Sequence, residues 1–482
     1  MSFDTIAAIS TPRGKGGVAL IRISGADAAD IGDRIFRPKN KKPLSAHTER
    51  TAVFGDIVGA DGAAVDSALA VLFRAPRSFT GEDTVEISCH GGVLVSAAVL
   101  GAAVIGSGGK TTLLRLLLAA LAAGASPAEA GEFTRRAYAA GKLTLTEAES
   151  LGMLLDARTD SQLRLARGGM SGVVSRASEE LSSRISEVLG DIYARVDFPD
   201  EDLGELSTDE VIARLEDISA CAGRLAATYS TGRAIAEGIP TVICGRTNAG
   251  KSTLYNRMTG EDSAIVTAAE GTTRDILTET VSFGGVTLRL SDTAGIREGQ
   301  DEAERIGIDR ARERIRGSEL VLFLIDGSRE PDADEYSLAD ELTARGFGRV
   351  IAVLGKSDLT DGVNGAVPAA VELWSRFADR AVISASSGEG MDALANMVAG
   401  IFLDSSLSPE TDAVVQNERQ YAALKEARQA INEAREALAV GFSPDVAGIS
   451  LESALSSLRA IDGRGVCAEV VDGIFAKFCV GK

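Results

Sequence analysis

Residues 241–252 read TVICGRTNAGKS, and the rest of the chain is arranged around them. The first four are apolar or β-branched, as a buried strand requires. Gly245 to Ser252 then fits the spacing G-x-x-x-x-G-K-S. Glycines let a backbone wrap an anion so that several N–H groups converge on it. The helix opening at Lys251 and Ser252 adds the positive end of its dipole. In such a loop Asn248, Ala249, Gly250 and Thr253 complete the cradle. Lys251 reaches the β- and γ-phosphates, and the Ser252 hydroxyl binds Mg2+. The spacing occurs by chance in long proteins, so the motifs downstream of it decide the nucleotide.

Further segments fall in order, each at a strand end. Glu270-Gly271-Thr272-Thr273-Arg274-Asp275 comes after the first helix, where a switch loop places Thr273 on Mg2+. Strands at 280–283 and 286–290, joined by Gly284-Gly285, run into Asp292-Thr293-Ala294-Gly295 on the γ-phosphate side. A strand at 350–354 ends at Gly355-Lys356-Ser357-Asp358. A carboxylate at Asp358 accepts from the N1–H and the exocyclic amine of guanine, a pair that adenine does not offer. Ser384 and Ala385, after a strand at 381–383, supply backbone contacts to the base. The set predicts a GTP-binding domain. One departure stands out: most GTPases begin the base-reading motif with Asn, where this chain has Gly355. Loss of that amide costs about 1–3 kcal/mol of nucleotide affinity. With Asp358 kept, guanine preference survives. Ser386 stands where the base-contact loop often has Lys.

The chain of 482 residues is long enough for several domains. Its net charge of −19 excludes a protein that coats nucleic acid by bulk electrostatics. Any such contact needs a local basic patch or a partner. Five scattered cysteines without a C-x-x-C pair, and two histidines, argue against zinc and fit a reducing, cytoplasmic setting. No secretory signal precedes residue 10, and the apolar stretches 93–105 and 113–123 read as buried helix, too short to span a bilayer.

Taken in order, residues 1–141 mix β-runs at 5–10, 18–23, 53–58, 67–73 and 84–88 with helix, an α+β domain. Residues 142–235 are helical, interrupted by the acidic loop VDFPDEDLGELS. Residues 236–405 alternate β and helix, which predicts a doubly wound parallel sheet. Residues 406–482 return to helix at 417–439 and 451–478. The expected fold is multidomain α/β and α, with a P-loop GTPase domain inserted into a discontinuous helical domain.

DTIAAISTPRGKGGVALIRISG, SFTGEDTVEISCHGG and GEFTRRAYAAGKLTLTEAES, with the terminus Phe478-Cys479-Val480-Gly481-Lys482, resemble the bacterial tRNA modification GTPase family MnmE, also called TrmE. The resemblance implies a homodimer with an N-terminal folate-binding domain. It also implies a partner, the flavoprotein MnmG, in a heterotetramer. Together they add an aminomethyl or carboxymethylaminomethyl group to C5 of the tRNA wobble uridine, drawing on 5-formyl- or 5,10-methylene-tetrahydrofolate. Arg22, Glu86, Lys142 and Lys482 match the family's folate contacts, a set suited to a ligand carrying both donors and carboxylates. Asn248, Thr267, Ala269 and Thr272 match its K+ site within the nucleotide-contacting run that also includes Ala268. A monovalent cation there neutralises transition-state charge, as an arginine finger does. Glu304 matches the glutamate that orients the attacking water. Cys479 matches the functional cysteine; read alone, it is either a nucleophile or a packing group between Phe478 and Val480.

Some residues carry plainer readings. His90 is a turn or core histidine, and Arg135-Arg136 a solvated helix face. Gly106 to Thr112 imitates a phosphate loop, but Val104 occupies the first glycine position, and a surface insertion is the expectation. Ala139-Ala140 stands where the family has Asn before Gly141-Lys142. A competing function is a ribosome-associated or assembly GTPase that uses the same switch without modification chemistry. The N-terminal signatures and the Cys-Val-Gly-Lys terminus favour modification.

Overall fold

The computed structural model describes residues 4–12, 16–59, 62–90, 112–197, 207–260, 278–291, 315–344 and 348–481. It divides into two units, Met1–Gly152 with Asp462–Lys482, and Met153–Ile461.

The first unit is built on seven strands: β1 (Ile6–Ile9), β2 (Val18–Ser24), β3 (Phe36–Pro38), β4 (Val53–Val58), β5 (Ala64–Phe73), β6 (Thr84–His90) and β7 (Ser126–Pro127). Their order is β3-β4-β5-β6-β2-β1-β7, antiparallel except where β7 joins β1. Alternation sets the core: Ile21 and Ile23 of β2 and Val85 and Ile87 of β6 point to one face. The helices Ala28–Ile35 and Thr112–Ala122 pack there through Ile31, Ile35, Leu116 and Ala120. Arg22, opposite in phase, registers with Glu86 across β2 and β6. The chain end joins this unit. Helix Ala468–Phe475 buries Phe475 with Leu145 and Ala148, and Val480 bridges to Ala130.

The second unit holds β8 (Ile239–Cys244), β9 (Thr278–Phe283), β10 (Val286–Ser291), β11 (Leu320–Asp326), β12 (Arg349–Gly355) and β13 (Asp379–Val382). The order is β13-β12-β11-β8-β10-β9, with only β9 antiparallel. β11 is buried along its whole length, as a central strand covered on both faces must be. Helices from either side of this sheet in sequence, Val173–Asp197 and Thr208–Ala227 with Glu418–Ala439 and Pro444–Ile461, share one apolar core that includes Ile185, Leu215, Leu424 and Leu451. The α/β segment is therefore inserted into a helical one. Thr208–Ala227 starts at a capping box, Ser207 with Glu210, which satisfies the free N–H groups of its first turn.

The expected helix over 451–478 is instead two helices. Gly463 and Gly465 between them take φ of 91° and 82°. Gly463 also lies against Tyr138, whose hydroxyl donates to the Gly463 carbonyl at 2.9 Å. The apolar run at 113–123 is helix Thr112–Ala122, while the runs at 93–105 and 106–111 lie outside the described residues. Among the described residues no helix is long and apolar enough to cross a membrane.

The junction of the inserted and helical segments is closely packed. A Cβ on Gly232, in helix Tyr229–Ala236, would lie 1.9 Å from the Val415 carbonyl oxygen. Gly232→Ala is expected to destabilise this unit by about 1–3 kcal/mol through overpacking. Chemical denaturation, run beside an open-space control such as Gly190→Ala, checks this; equal midpoints would contradict it.

Candidate functional site

β8 delivers the chain to Gly245 against the neighbouring strand. A Cβ there would sit 2.3 Å from the Leu324 carbonyl oxygen, and φ is 141°, so only glycine fits. The loop turns again at Asn248 (φ 65°) and Gly250 (φ 103°) before helix Lys251–Gly260 begins. Asn and Gly are the residues that tolerate this region. Lys251 Nζ donates to the carbonyls of Gly245 at 2.9 Å and Arg246 at 2.7 Å. These contacts use two of the ammonium's three donors and close the loop on itself. Burial pushes the Lys251 pKa below the ordinary lysine value, against the opposing pull of Cys244 and Glu335. An anion in the loop would relieve that penalty.

A cavity of about 200 Å3 runs from the loop at Ala249 and Gly250, past Leu324 and Gly355, to Asp358 and Ala385. The carboxylate at its far end is held on both oxygens. Ser384 Oγ donates to Asp358 Oδ1 at 2.7 Å and Ser386 Oγ to Oδ2 at 3.2 Å. The Ser384 hydrogen bond leads in keeping Asp358 below the usual carboxylate range. Lys356, in the left-handed region at φ 61°, turns its ammonium onto Asp326 Oδ2 at 2.7 Å. Burial raises the Asp326 pKa, but hydrogen bonds from Lys356 and Ser328 outweigh it and leave it lowered. Arg257 Nε donates to the Ala385 carbonyl at 3.1 Å and ties the loop after β13 to helix Lys251–Gly260.

The structure thus brings Ala249, Gly250, Thr253, Lys356, Asp358 and Ala385 around one cavity, with Lys251 bonded to the Gly245 carbonyl in the adjoining loop. Asn248 and Ser252 belong to the same loop and helix start. Thr267, Ala268, Ala269, Glu270, Gly271, Thr272, Thr273, Asp292, Thr293, Ala294, Gly295, Glu304 and Lys482 lie outside the described residues. Sequence reasoning passed over Asp326 and Arg257. A carboxylate closing the apolar strand LVLFLID was the available signal for the first; nothing local marked the second.

In the first unit, Arg22 Nε meets Glu86 Oε1 at 2.8 Å, and its guanidinium lies 5.6 Å from the Phe79 ring centre and 5.5 Å from that of Phe133. The same 78–82 loop reaches the Lys142 region, since a Cβ on Gly81 would be 3.6 Å from Lys142 Cε. This loop therefore approaches both Arg22, through Phe79, and Lys142, through Gly81. Cys479 is exposed, its backbone carbonyl accepting from the Gly131 N–H at 3.4 Å. Arg136 is not on a solvated face. It is buried, bridging Glu82 at 3.1 Å and Glu132 at 2.7 Å, because Glu82 faces inward with Ser24 and Thr80. Arg135 is partly exposed and pairs with Asp472 at 3.3 Å.

The family described as MnmE helical domain matches residues 145–479, and GTP-binding protein TrmE N-terminus matches residues 5–142. The chain is 36% identical over 482 residues to a protein of Symbiobacterium thermophilum named tRNA modification GTPase MnmE, covering all of both chains. A protein of the same name from Lactobacillus delbrueckii subsp. bulgaricus is 37% identical over 481 residues, which is 100% of this chain and 98% of that one. A third, from Geobacter sulfurreducens, is 36% identical with 99% of each covered.

The Lys251 environment has a pH signature. Its free-state pKa lies below 10.5, and phosphate charge raises it on binding. Nucleotide affinity is therefore expected to fall as pH rises through the free-state value, with more proton uptake on binding in the alkaline range than at neutrality. Calorimetric titration of GDP in two buffers of different ionisation enthalpy checks this; equal proton exchange at both pH values would contradict it.

Proposed function

Because this chain belongs to the tRNA modification GTPase family MnmE, we propose that it is a K+-stimulated GTPase. Working with the flavoprotein MnmG, it installs an aminomethyl or carboxymethylaminomethyl group at C5 of the wobble uridine, using a folate one-carbon unit. The observation that carries this reading is the coexistence, in one chain, of a nucleotide cavity ending on Asp358 and an N-terminal unit presenting Arg22 beside Glu86. A switch GTPase without modification chemistry would need only the first.

In this reading the Gly245-to-Ser252 loop binds the phosphates, Lys251 supplies charge, and Asp358 selects guanine. Ser252 and Thr273 hold Mg2+, and Asp292 to Gly295 stand on the γ-phosphate side. Asn248, Thr267, Ala269 and Thr272 hold K+, and Glu304 orients the attacking water. Arg22, Glu86, Lys142 and Lys482 bind the folate. The exposed Phe79 ring, within cation–π range of Arg22, supports that assignment because it gives a flat ring system an apolar wall. Cys479, exposed at the same unit's end, is available for chemistry on the one-carbon unit or the tRNA. The protein acts in the cytoplasm, as a homodimer.

GTP hydrolysis compared in KCl and NaCl at equal ionic strength is expected to show K+ stimulation on the order of 10-fold or more. Equal rates would remove the cation from the mechanism. Deleting the gene and profiling tRNA nucleosides is expected to abolish the wobble-uridine modification; unchanged tRNA would favour the assembly-GTPase alternative.

A further inference from the structure

The cavity has two ends with different chemistry and a wall between them with almost none. At one end stand the phosphate-loop residues Ala249 and Gly250; at the other stands the Asp358 carboxylate. A guanine nucleotide spanning it sets its N1–H and 2-amino group on Asp358 and its phosphates on the loop. The N7 edge of a purine lies across the ring system from the N1 and C2 edge. Seated this way, N7 turns away from Asp358, toward the side where Gly355 approaches the loop. Position 355 faces that side, because a Cβ built on it would lie 3.7 Å from the Ala249 carbonyl oxygen.

No side-chain donor serves that edge among the described residues. The lining of the cavity includes Leu324, Gly355 and Ile383, none of which carries a side-chain donor. The hydrogen-bonding side chains around the cavity are engaged or placed elsewhere. Lys356 Nζ is bonded to Asp326 at 2.7 Å, and Ser386 Oγ to Asp358 at 3.2 Å. Thr253 stands in the helix beyond the phosphate loop. The Gly355 backbone is committed to the sheet, pairing with Asp326 and accepting from the Gly327 N–H at 3.2 Å.

We propose that this site reads guanine without a contact to N7, so that guanine and 7-deazaguanine nucleotides are equivalent ligands. The proposal rests on the guanine-nucleotide reading of the cavity and narrows it. Selectivity then falls on one carboxylate, which explains why both of its oxygens are tethered, by Ser384 and by Ser386. A rigid acceptor loses less freedom on binding than a free one. The glycine is not forced by the backbone. Gly355 lacks a positive φ, and an added Cβ would press on the end of the Leu324 side chain at 3.0 Å, with the Ile325 and Ala249 carbonyl oxygens at ordinary contact distances of 3.6 Å and 3.7 Å. An asparagine is therefore sterically admissible and would restore a donor on the unread side.

The test is calorimetric titration of the full chain with GDP, 7-deaza-GDP and ADP. The unmodified protein is expected to bind GDP and 7-deaza-GDP within about twofold, where a lost hydrogen bond would separate them by about tenfold. Gly355→Asn is expected to prefer GDP over 7-deaza-GDP by about tenfold. Gly355→Ala, which adds bulk without a donor, is expected to leave the two ligands equivalent. A tenfold preference for GDP in the unmodified protein overturns the proposal, and that comparison decides even where Gly355→Asn does not fold. If GDP and ADP bind alike, the guanine reading of the cavity itself fails, and the proposal with it.

Discussion

The second unit depends on one packing requirement: helices lying before and after the α/β segment must share a single core. Neither pair buries its apolar face alone. Val173–Asp197 and Thr208–Ala227 need the stripe of Leu424, Ile431 and Leu451 from the other side of the insertion. The two ends of the inserted segment are consequently brought together. The Val415 N–H donates to Thr228 Oγ1 at 3.0 Å, and the Asp404 N–H to Thr231 Oγ1 at 2.9 Å. These bonds, with the close approach at Gly232, pin the base of the GTPase sheet. Its functional loops stand at the other ends of the strands, where an α/β sheet places its ligands.

The nucleotide site is a product of how those strands pack. β8 runs so close to β11 that the phosphate loop can leave it only through a glycine. The carboxylate that closes β11, Asp326, then orients Lys356 after β12. Adjacent parallel strands thus supply the Gly245-to-Ser252 loop, the buried Asp326 and the Lys356-to-Asp358 turn, all from one edge. Burial and hydrogen bonding give each charge its character. Lys251 is made less willing to be charged until an anion arrives, while Asp358, held by hydroxyls, stays ionised and ready to accept.

Much of this was legible in the sequence because the signals were local. A glycine spacing, an Asp just past a strand, and alternation in 18–23 and 84–88 are read without tertiary knowledge. Family resemblance extended the reading to the N-terminal unit. What escaped was long-range. Arg136 looks like any arginine on a short helix until Glu82 closes on it from 54 residues away. The helix break after Ile461 depends on Tyr138, which lies 325 residues before Gly463, and Arg257 reaches the base loop across 128 residues. A charged or aromatic side chain carries no mark of the distant partner that gives it a place.

The shared helical core also sets the order in which this protein matures during synthesis. Ala227 ends the first pair of helices and Glu418 begins the second. At roughly 5–20 residues per second, the first pair waits roughly 10–40 seconds on the ribosome for its partners. Meanwhile the inserted sheet, whose strands pair only with one another, has all it needs to fold. Ile185, Val188, Leu215 and Ile218 therefore spend that interval without the partners that cover them in the finished core.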